Sequence, residues 1–311
     1  MSPRIITLTL NPTIDVACDA RGVRPLHKVR TSGETYDPGG GGVNAGRVLR
    51  ELGADVLSVI TAGDITGRML EELMAKSGVP NVIVPIRGRT RISWTVHDLA
   101  TGQEYRFVTE GPMLTEQEWQ ATLDAVDEAK GAWIVASGSL PRGVPDDFYA
   151  RLARSAASKG RQVVLDTSGA ALHAALGEKL ALMKPSLGEF EALVGRPLPD
   201  NASQEAAAMA MVRDGAAERI AVTLGADGAL LATAEGVWRL PAMDVPVRGA
   251  VGAGDSFTAA MTIALARGYA PQDALAMGVA AGAAAVMNTG TAHPTRAEIE
   301  ALFRRVTIGA L

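Results

Sequence analysis

Residues 247–268 read VRGAVGAGDSFTAAMTIALARG, in which glycines and one acid stand in front of a long apolar run. Four apolar side chains recur in that run at helical spacing, namely Phe257, Ala260, Met261 and Ala264. The spacing predicts a helix that begins near residue 253. The first N–H groups of a helix lack intrahelical partners, and the helix dipole favours an anion beside them. The small residues at 252–254 leave these amides open, so the stretch predicts a phosphate site.

Asp255 follows these amides directly, at a position where its carboxylate would adjoin a bound phosphate. In a phosphoryl transfer, Asp255 could accept the proton of an attacking hydroxyl group while the amides of Gly252, Ala253 and Gly254 hold the migrating group. The helix dipole is expected to lower the pKa of Asp255, so that the carboxylate takes the proton late in the reaction. The alternative is that Asp255 simply caps its helix.

A second glycine cluster, PGGGGVNAGRVLRELG at residues 38–53, also precedes a helical apolar pattern. It does not closely follow the first predicted strand, and it lacks the G-x-G-x-x-G and G-x-x-x-x-G-K-[ST] patterns of nucleotide-binding loops. We expect a polyhydroxyl ligand to approach this loop closely, with Asn44 forming hydrogen bonds to it in both directions. A tight turn at the entry to the helix is the alternative.

Short apolar runs alternate with helical patterns along the chain, which predicts a doubly wound α/β fold with a mostly parallel sheet. Buried strands are expected at 5–10, 56–61, 133–137, 163–168, 180–184 and 220–224. Helices are expected at 42–52, 65–77, 115–130, 146–159, 189–194, 203–214 and over most of the chain after 253. Thr115 and Glu118 form a capping-box pattern. Residues 219–230 predict two strands joined by a turn with positive φ at Gly225 and Gly228.

Two segments interrupt this alternation, and both favour strands. Residues 14–36 lack a helical pattern, and residues 90–109 alternate with period two around a glycine turn. They predict a small second β-sheet, inserted into a single domain of residues 1–311, that could cover a site as a lid. If the chain is extended there, Arg87, Arg89 and Arg91 point to one side, either toward a phosphate or into solvent at a sheet edge.

The composition argues against several classes of function. The net charge is −4 and aromatic residues make up 4% of the chain, so neither a polyanion nor a single-stranded nucleic acid is an expected partner. Cys18 is the only cysteine, and no Cys/His cluster has the spacing of a zinc site. No apolar run is long enough to span a membrane, and the N-terminus reads as a first strand rather than a signal peptide. We therefore expect a cytoplasmic protein.

Taken together, these stretches resemble the PfkB (ribokinase-like) family of sugar kinases. LTLNPTIDVA and PGGGGVNAGRVLRELG near the N-terminus and VGAGDSFTAAM near the C-terminus carry the resemblance. Five further blocks stand in family order, namely ASGSLPRGV, VLDTSGAAL, LMKPSLGEFEALVG, VTLGADGAL and AAGAAAVMNTGT. Within the family, the chain is most similar to the minor 6-phosphofructokinase branch (isozyme 2 type), because Gly41 stands where many relatives have Lys. The segment EYRFVTEGPMLTEQEW at 104–119 also looks like that branch.

The resemblance implies ATP-dependent phosphorylation of the 1-hydroxyl group of fructose 6-phosphate, with Mg²⁺ as the metal. It also implies a ribokinase-like fold with a β-sheet lid and a homodimer built through the lids. Asp255 matches the catalytic base of the family, and the amides of Gly252, Ala253 and Gly254 match its anion hole.

The same resemblance assigns the remaining site residues. The expected contacts to the sugar and its phosphate are Asp15, Lys28, Gly40, Gly41, Asn44, Arg91 and Arg142. Lys28 would lie in the lid, from which it could act in the partner subunit. The expected contacts to ATP are Lys184, Ser186, Thr223, Gly225, Gly228 and Asn288.

Glu189 matches the acid of a family motif that organises Mg²⁺ through water. Ser186 replaces the Asn of that motif, and Gly249 and Ala250 replace hydroxyl side chains that relatives often carry. Asn288 could instead cap a helix beside Gly290.

Several alternative functions stay open. Tagatose 6-phosphate or fructose 1-phosphate could replace fructose 6-phosphate, since these sugars differ by one stereocentre or by the place of the phosphate. A non-catalytic sensor of nucleotide or sugar would use the same fold without needing Asp255 as a base. A NAD-dependent oxidoreductase is suggested only by the glycine content, and a nucleoside kinase is disfavoured by the scarcity of aromatic residues.

Overall fold

The computed structural model describes residues 3–288 and 292–309 of the chain. Within these residues, a mostly parallel sheet of nine strands is flanked by helices, and a separate sheet of four strands accompanies it. The expected α/β fold and the expected second sheet are therefore both present.

The strands in chain order are β1 (Ile5–Thr9), β2 (Thr13–Ala20), β3 (Thr31–Gly39), β4 (Val56–Gly63), β5 (Asn81–Ile86), β6 (Arg91–Asp98), β7 (Glu104–Phe107), β8 (Trp133–Ser137), β9 (Gln162–Asp166), β10 (Leu182–Met183), β11 (Arg219–Thr223), β12 (Ala229–Thr233) and β13 (Gly236–Leu240). The larger sheet has the order β13-β12-β11-β10-β9-β8-β1-β4-β5. Its neighbouring strands are parallel except at β11–β12 and β12–β13, which are antiparallel. All six strands expected from buried apolar runs lie in this sheet.

The helices in chain order are α1 (Gly41–Glu51), α2 (Asp64–Ser77), α3 (Glu116–Glu128), α4 (Phe148–Ser158), α5 (Gly169–Ala174), α6 (Leu187–Val194), α7 (Asn201–Arg213), α8 (Ala253–Ala266), α9 (Pro271–Val286) and α10 (Arg296–Gly309). The capping box of Thr115 and Glu118 is formed at the start of α3. The helix predicted to begin near residue 253 is α8, and the described part of the chain after it is mostly helical, as expected.

Two apolar cores lie on the two faces of the larger sheet. Successive residues of β1 point to opposite faces, so Ile5 packs in one core and Ile6 in the other. Both residues are at most 1% exposed. Burial on both faces explains why the strands read as continuous apolar runs. Among the described residues, no helix has the length and apolar character that a membrane crossing needs.

The smaller sheet, which we call the lid, has the strand order β3-β2-β6-β7. β2 follows β1 almost directly, and β3 leads into α1, so the lid is attached close to the carboxyl end of β1. The strands expected within 14–36 and 90–109 are those of the lid.

The alternating arginines do not share one strand. β5 ends at Ile86 and β6 begins at Arg91, so Arg87 and Arg89 lie in the connection between them. Arg89 forms an exposed ion pair with Asp64, with Nε and Oδ2 2.9 Å apart. The condition under which the three arginines would point to one side is therefore not met, because only Arg91 belongs to a strand.

Candidate active site

The glycine cluster lies where lid strand β3 joins helix α1. A Cβ atom on Gly39 would overlap the carboxylate of Asp15, and one on Gly41 would overlap the hydroxyl group of Ser137. Gly40 has a φ of 106°, which residues with a side chain rarely adopt. Neighbouring atoms and the backbone conformation therefore require glycine at positions 39–41, as the tight-turn alternative predicts. Gly40 and Gly41 nevertheless also line the cleft described next.

An open cleft of about 160 Å³ lies between the lid and the starts of α1 and α8. Seven residues that the sequence singled out line it together, namely Asp15, Gly40, Gly41, Asn44, Arg91, Gly252 and Asp255. The other lining residues are Thr13, Ser93, Trp94, Thr95, Arg106, Val108 and Val251. Residues that lie far apart in the sequence thus surround one space large enough to admit a small ligand.

Asp255 lies in the first turn of α8. The N-cap of the helix is Gly252, whose φ of 75° is left-handed, and no side chain caps the helix start. The Nδ2 group of Asn44 on α1 donates a hydrogen bond to Oδ2 of Asp255 over 2.9 Å. Asp255 is therefore held by a neighbouring helix instead of serving as the N-cap of its own, which argues against a simple capping role.

Burial raises the pKa of Asp255 to about 7, and the nearby charge of Asp166 acts in the same direction. The hydrogen bond from Asn44 and the charge of Lys184 oppose this shift without cancelling it. The expectation of a lowered pKa is wrong, because desolvation by burial and the like charge of Asp166 raise the pKa. A carboxyl group with a pKa near 7 is a stronger base than an ordinary aspartate.

Asp166, at the end of β9, is a site residue that the sequence reasoning missed. Its Oδ1 atom lies 3.1 Å from Nζ of Lys184, which is 5% exposed. The Oγ1 group of Thr258 donates to Oδ2 of Asp166 over 3.0 Å. Burial opposes the charge on Lys184, but Asp166 and other nearby acids hold its pKa above the usual value. The detectable signal was an acid at the carboxyl end of a parallel strand, where α/β sheets bind ligands.

Lys184 also adjoins the helix start that carries Asp255. A Cβ atom built on Gly254 would lie 3.7 Å from Nζ of Lys184. A buried ammonium group and the open amides of α8 therefore lie side by side, which is an arrangement suited to a phosphate.

Two arginines and one acid give the lid side of the cleft its charge. Arg91 donates to the backbone carbonyl groups of Asn11 and Thr109 at 2.8–3.2 Å, so its side chain is tied to the protein. Arg106 on β7 was missed by the sequence reasoning, and its side chain makes no hydrogen bond or ion pair within the described part of the chain. Burial raises the pKa of Asp15 to about 6, while the charges of Arg91 and Arg106 act in the opposite direction. Arg106 therefore keeps its side-chain donors available to an anionic ligand, whereas Arg91 makes three hydrogen bonds to carbonyl groups.

Two of the expected sugar-phosphate residues do not line this cleft. Lys28 is exposed in the connection between β2 and β3. Arg142 is also exposed, with Nε 3.6 Å from the carboxylate of Glu110 and a long hydrogen bond of 3.5 Å to the carbonyl group of Gly111. Within one copy of the described chain, neither residue meets Asp255.

Five of the residues expected to contact ATP lie at or after the carboxyl ends of β10 and β11, namely Lys184, Ser186, Thr223, Gly225 and Gly228. Ser186 and Thr223 are neighbours in a short bridge between the segments that follow β10 and end β11. Gly225 and Gly228 stand in the β11–β12 turn with φ values of 61° and 94°, which confirms the positive φ expected there.

Asn288 lies just after α9, where its Nδ2 group donates to the carbonyl group of Ala284 over 3.0 Å. That contact is typical of a residue at a helix C-terminus. Gly290, which the capping alternative for Asn288 involves, lies outside the described residues.

Glu189 has a local partner in this structure. Its Oε2 atom accepts hydrogen bonds from the backbone and the hydroxyl group of Ser186 at 2.7 and 2.8 Å, which completes a capping box on α6. Among the described residues, no three acid, His or Cys side chains converge as a metal site. The single carboxylate of Glu189 fits a magnesium ion that keeps most of its water and binds ligand phosphates, since Mg²⁺ seldom needs a protein cage.

The chain matches a known protein family over most of its length. The profile of the pfkB family carbohydrate kinases matches residues 9–298. The chain is 41% identical over 304 residues to the ATP-dependent 6-phosphofructokinase isozyme 2 of Mycobacterium tuberculosis, covering 97% of this chain and 89% of that protein.

Two solved structures of phosphofructokinase-2 from Escherichia coli resemble the chain over its whole fold. The complex with fructose 6-phosphate has a TM-score of 0.93 at 35% identity, and the tetrameric inhibited form has a TM-score of 0.92 at 36% identity. Each comparison covers 98% of this chain and 99% of the other.

Proposed function

Because the chain belongs to the pfkB family of carbohydrate kinases, we propose that it transfers the γ-phosphoryl group of ATP to the 1-hydroxyl group of fructose 6-phosphate. One observation carries this proposal, namely that a single cleft joins Asp255 at the open start of α8 with Arg91 and Arg106 of the lid. A phosphorylated sugar needs a base at one end and cations at the other, and the cleft offers both. The names of the relatives support the same substrate.

In the proposed mechanism, the 1-hydroxyl oxygen attacks the γ-phosphorus in line as the bond to the β-phosphate oxygen breaks. Asp255 accepts the hydroxyl proton, and the backbone amides of Gly252, Ala253 and Gly254 donate to the phosphoryl oxygens. The products are fructose 1,6-bisphosphate and ADP, and the proton passes from Asp255 to solvent. Asn44 orients Asp255 through the hydrogen bond between their side chains.

We assign the sugar hydroxyl groups to Asp15, Gly40, Gly41 and Asn44, because a carboxylate and an amide can bind neighbouring hydroxyls. Arg91 and Arg106 would bind the 6-phosphate. Arg142 and Lys28 would contribute further positive charge to that phosphate. Lys28 would do so from the lid of a partner subunit, since it is exposed on its own chain.

The proposed ATP contacts are Lys184, Ser186, Thr223, Gly225, Gly228 and Asn288. Lys184 would bind phosphate oxygens beside the amides of α8. Glu189 would hold Mg²⁺ through water, and Mg²⁺ would supply neutralisation of the phosphate charge.

We also propose that residues 1–311 form one kinase domain, that the lid closes to exclude water, and that two copies associate through their lids. Four exposed apolar side chains of the lid region support association, namely Tyr36, Trp94, Phe107 and Val108, which are 38–59% exposed. A free, buried Cys18 is consistent with the reducing environment of the cytoplasm, where we place the enzyme.

The test of this function is a coupled assay of ADP release with Mg-ATP and a panel of sugars. The panel holds fructose 6-phosphate, tagatose 6-phosphate, fructose 1-phosphate, fructose and ribose. We expect the highest kcat/KM with fructose 6-phosphate. A higher value with another sugar would keep the kinase and refute the specificity, whereas no turnover with any sugar would favour a non-catalytic sensor.

A further inference from the structure

A partly buried ion pair lies just outside the cleft, between the lid and helix α1. The Nη2 atom of Arg47 on α1 lies 3.1 Å from Oδ1 of Asp37 near the end of β3. Arg47 is 8% exposed, and its Nη1 group also makes a hydrogen bond of 3.5 Å to the carbonyl group of Pro38. Burying a guanidinium group is costly unless the charge is paired, so the contact commits α1 and β3 to one relative position.

The pair joins β3, the neighbour of the strand that presents Asp15, to α1, which presents Asn44. Asp37 stands directly opposite Asp15 in the antiparallel register of β2 and β3. Arg47 follows Asn44 by three residues, so both side chains belong to the same part of α1. Asn44 in turn holds Asp255. The Arg47–Asp37 contact therefore links β3, which is paired with the strand that presents Asp15, to the helix that presents Asn44.

We propose that Arg47 and Asp37 are positioning residues that set the distance between Asp15 and Asn44, so that both bind the hydroxyl groups of one sugar. Neither Arg47 nor Asp37 lines the cleft, so they act through the two residues that do. The inference rests on the proposed function, because it takes the cleft to be the sugar-phosphate site.

The Arg47–Asp37 pair affects the binding of the sugar and not the binding of ATP. Lys184, Thr223 and Gly225 belong to the segments around β10 and β11. In the larger sheet these strands lie on one side of β1, whereas β4, which follows α1, lies on the other side. Loosening the link between β3 and α1 therefore weakens sugar binding while the nucleotide contacts keep their arrangement. A general loss of stability would affect both substrates alike.

The test compares the KM values of Asp37→Asn with those of the wild type at pH 8. The sugar phosphate is the one that the wild type prefers in the panel assay. At this pH Asp15, whose pKa is about 6, is ionised with or without the nearby charge of Asp37. We expect the sugar-phosphate KM to rise about fivefold or more, and the ATP KM to change by less than about twofold. Asp37→Glu, which keeps the charge, is expected to recover part of the sugar KM.

Asp127→Asn is the matched control. Asp127 is 31% exposed against 28% for Asp37, and it pairs with Lys159 at the end of α4, and neither of these two residues lines the cleft. The control is expected to leave both KM values near those of the wild type. Equal rises for sugar and ATP in Asp37→Asn, or no rise for the sugar, would overturn the proposal.

Two further measurements separate the possible failures. If Asp37→Asn is unfolded at the assay temperature, Arg47→Lys, which keeps the charge but cannot form the same contacts, is measured with the same expectations. If the wild-type enzyme prefers another sugar phosphate, the proposed specificity is wrong, and the positioning role is judged by the same KM comparison with that sugar.

Discussion

The pKa of Asp255 depends on its position at a helix start and on its tertiary surroundings, and the sequence shows only the first of these. The sequence places an acid at a helix start, which by itself favours the carboxylate. Its burial and its nearness to Asp166 depend on the tertiary fold, and they raise the pKa of Asp255 to about 7. The resulting side chain is mostly ionised just above neutral pH, and there it is a better proton acceptor than an exposed aspartate.

The activity of the free enzyme should follow the ionisation of Asp255. A protonated Asp255 cannot accept the hydroxyl proton, so we expect kcat/KM to fall as the pH drops through about 7 and to level off above it. The measurement is a pH profile of kcat/KM at constant ionic strength, with the titration of the sugar phosphate measured separately. An acidic limb with a midpoint near 4 would contradict the raised pKa.

Arg106 provides the sharpest test of the lid side of the cleft. Arg106→Ala removes a cation without breaking a side-chain hydrogen bond or ion pair of the described structure, so we expect the sugar-phosphate KM to rise about tenfold or more with kcat little changed. Arg89→Ala is the control, because Arg89 is an exposed arginine outside the cleft. An unchanged sugar KM in Arg106→Ala would remove Arg106 from the phosphate site.

At the scale of elements, most helices and the buried strands could be predicted closely, because apolar periodicity and capping residues are local signals. The short helix α5 and the strands β5 and β13 were not predicted. β5 contains Pro85, which is tolerated because this strand is at one edge of the sheet. β13 is the opposite edge strand and is only partly buried, so it lacks a continuous apolar run.

The entry to α1 illustrates what a local pattern cannot supply. The glycine cluster predicted a ligand loop or a tight turn, and the choice between them needed the position of Ser137, which comes from a distant strand. Gly41 faces both Ser137 and the cleft. Packing against Ser137 and access of a ligand to the cleft therefore both favour glycine at this position.

We expect Gly41→Ala to lower the free energy of unfolding by about 1–3 kcal/mol, because the new methyl group overlaps the hydroxyl group of Ser137. The measurement is denaturant unfolding of the variant beside the wild type. Gly188→Ala in helix α6 is the control, since a Cβ atom there meets nothing within 4 Å. A Gly41→Ala variant as stable as the wild type would show that the loop relaxes freely.

At the scale of the whole molecule, two sheets that are separate in space are interleaved in sequence. Asp15 and Arg91 come from lid strands and Asp255 from the last third of the chain, so the cleft exists only after both sheets have formed. The resemblance to known kinases could bring these residues together in advance. It assigned no role to Arg106 or to the link between Arg47 and Asp37, although Arg106 and Arg47 stand in stretches that carry the resemblance.

Association through the lid is expected to depend on its apolar surface. Phe107→Lys places a charge on a side chain that is 57% exposed, and we expect it to shift the mass in sedimentation equilibrium from dimer toward monomer. Ile65→Lys is the control, because Ile65 is 59% exposed but lies on α2. A monomeric wild type, or an unchanged mass for Phe107→Lys, would refute the lid interface.

The account depends most on Asp255 as the proton acceptor, and the most direct measurement is the steady-state kcat of Asp255→Asn with Mg-ATP and fructose 6-phosphate. Asn keeps the size of the side chain and removes its basicity, so kcat is expected to fall by roughly 10²- to 10⁴-fold with the fold intact. Asp124→Asn, an exposed change on α3, should leave kcat unchanged. Near-normal turnover by Asp255→Asn would contradict the proposed mechanism.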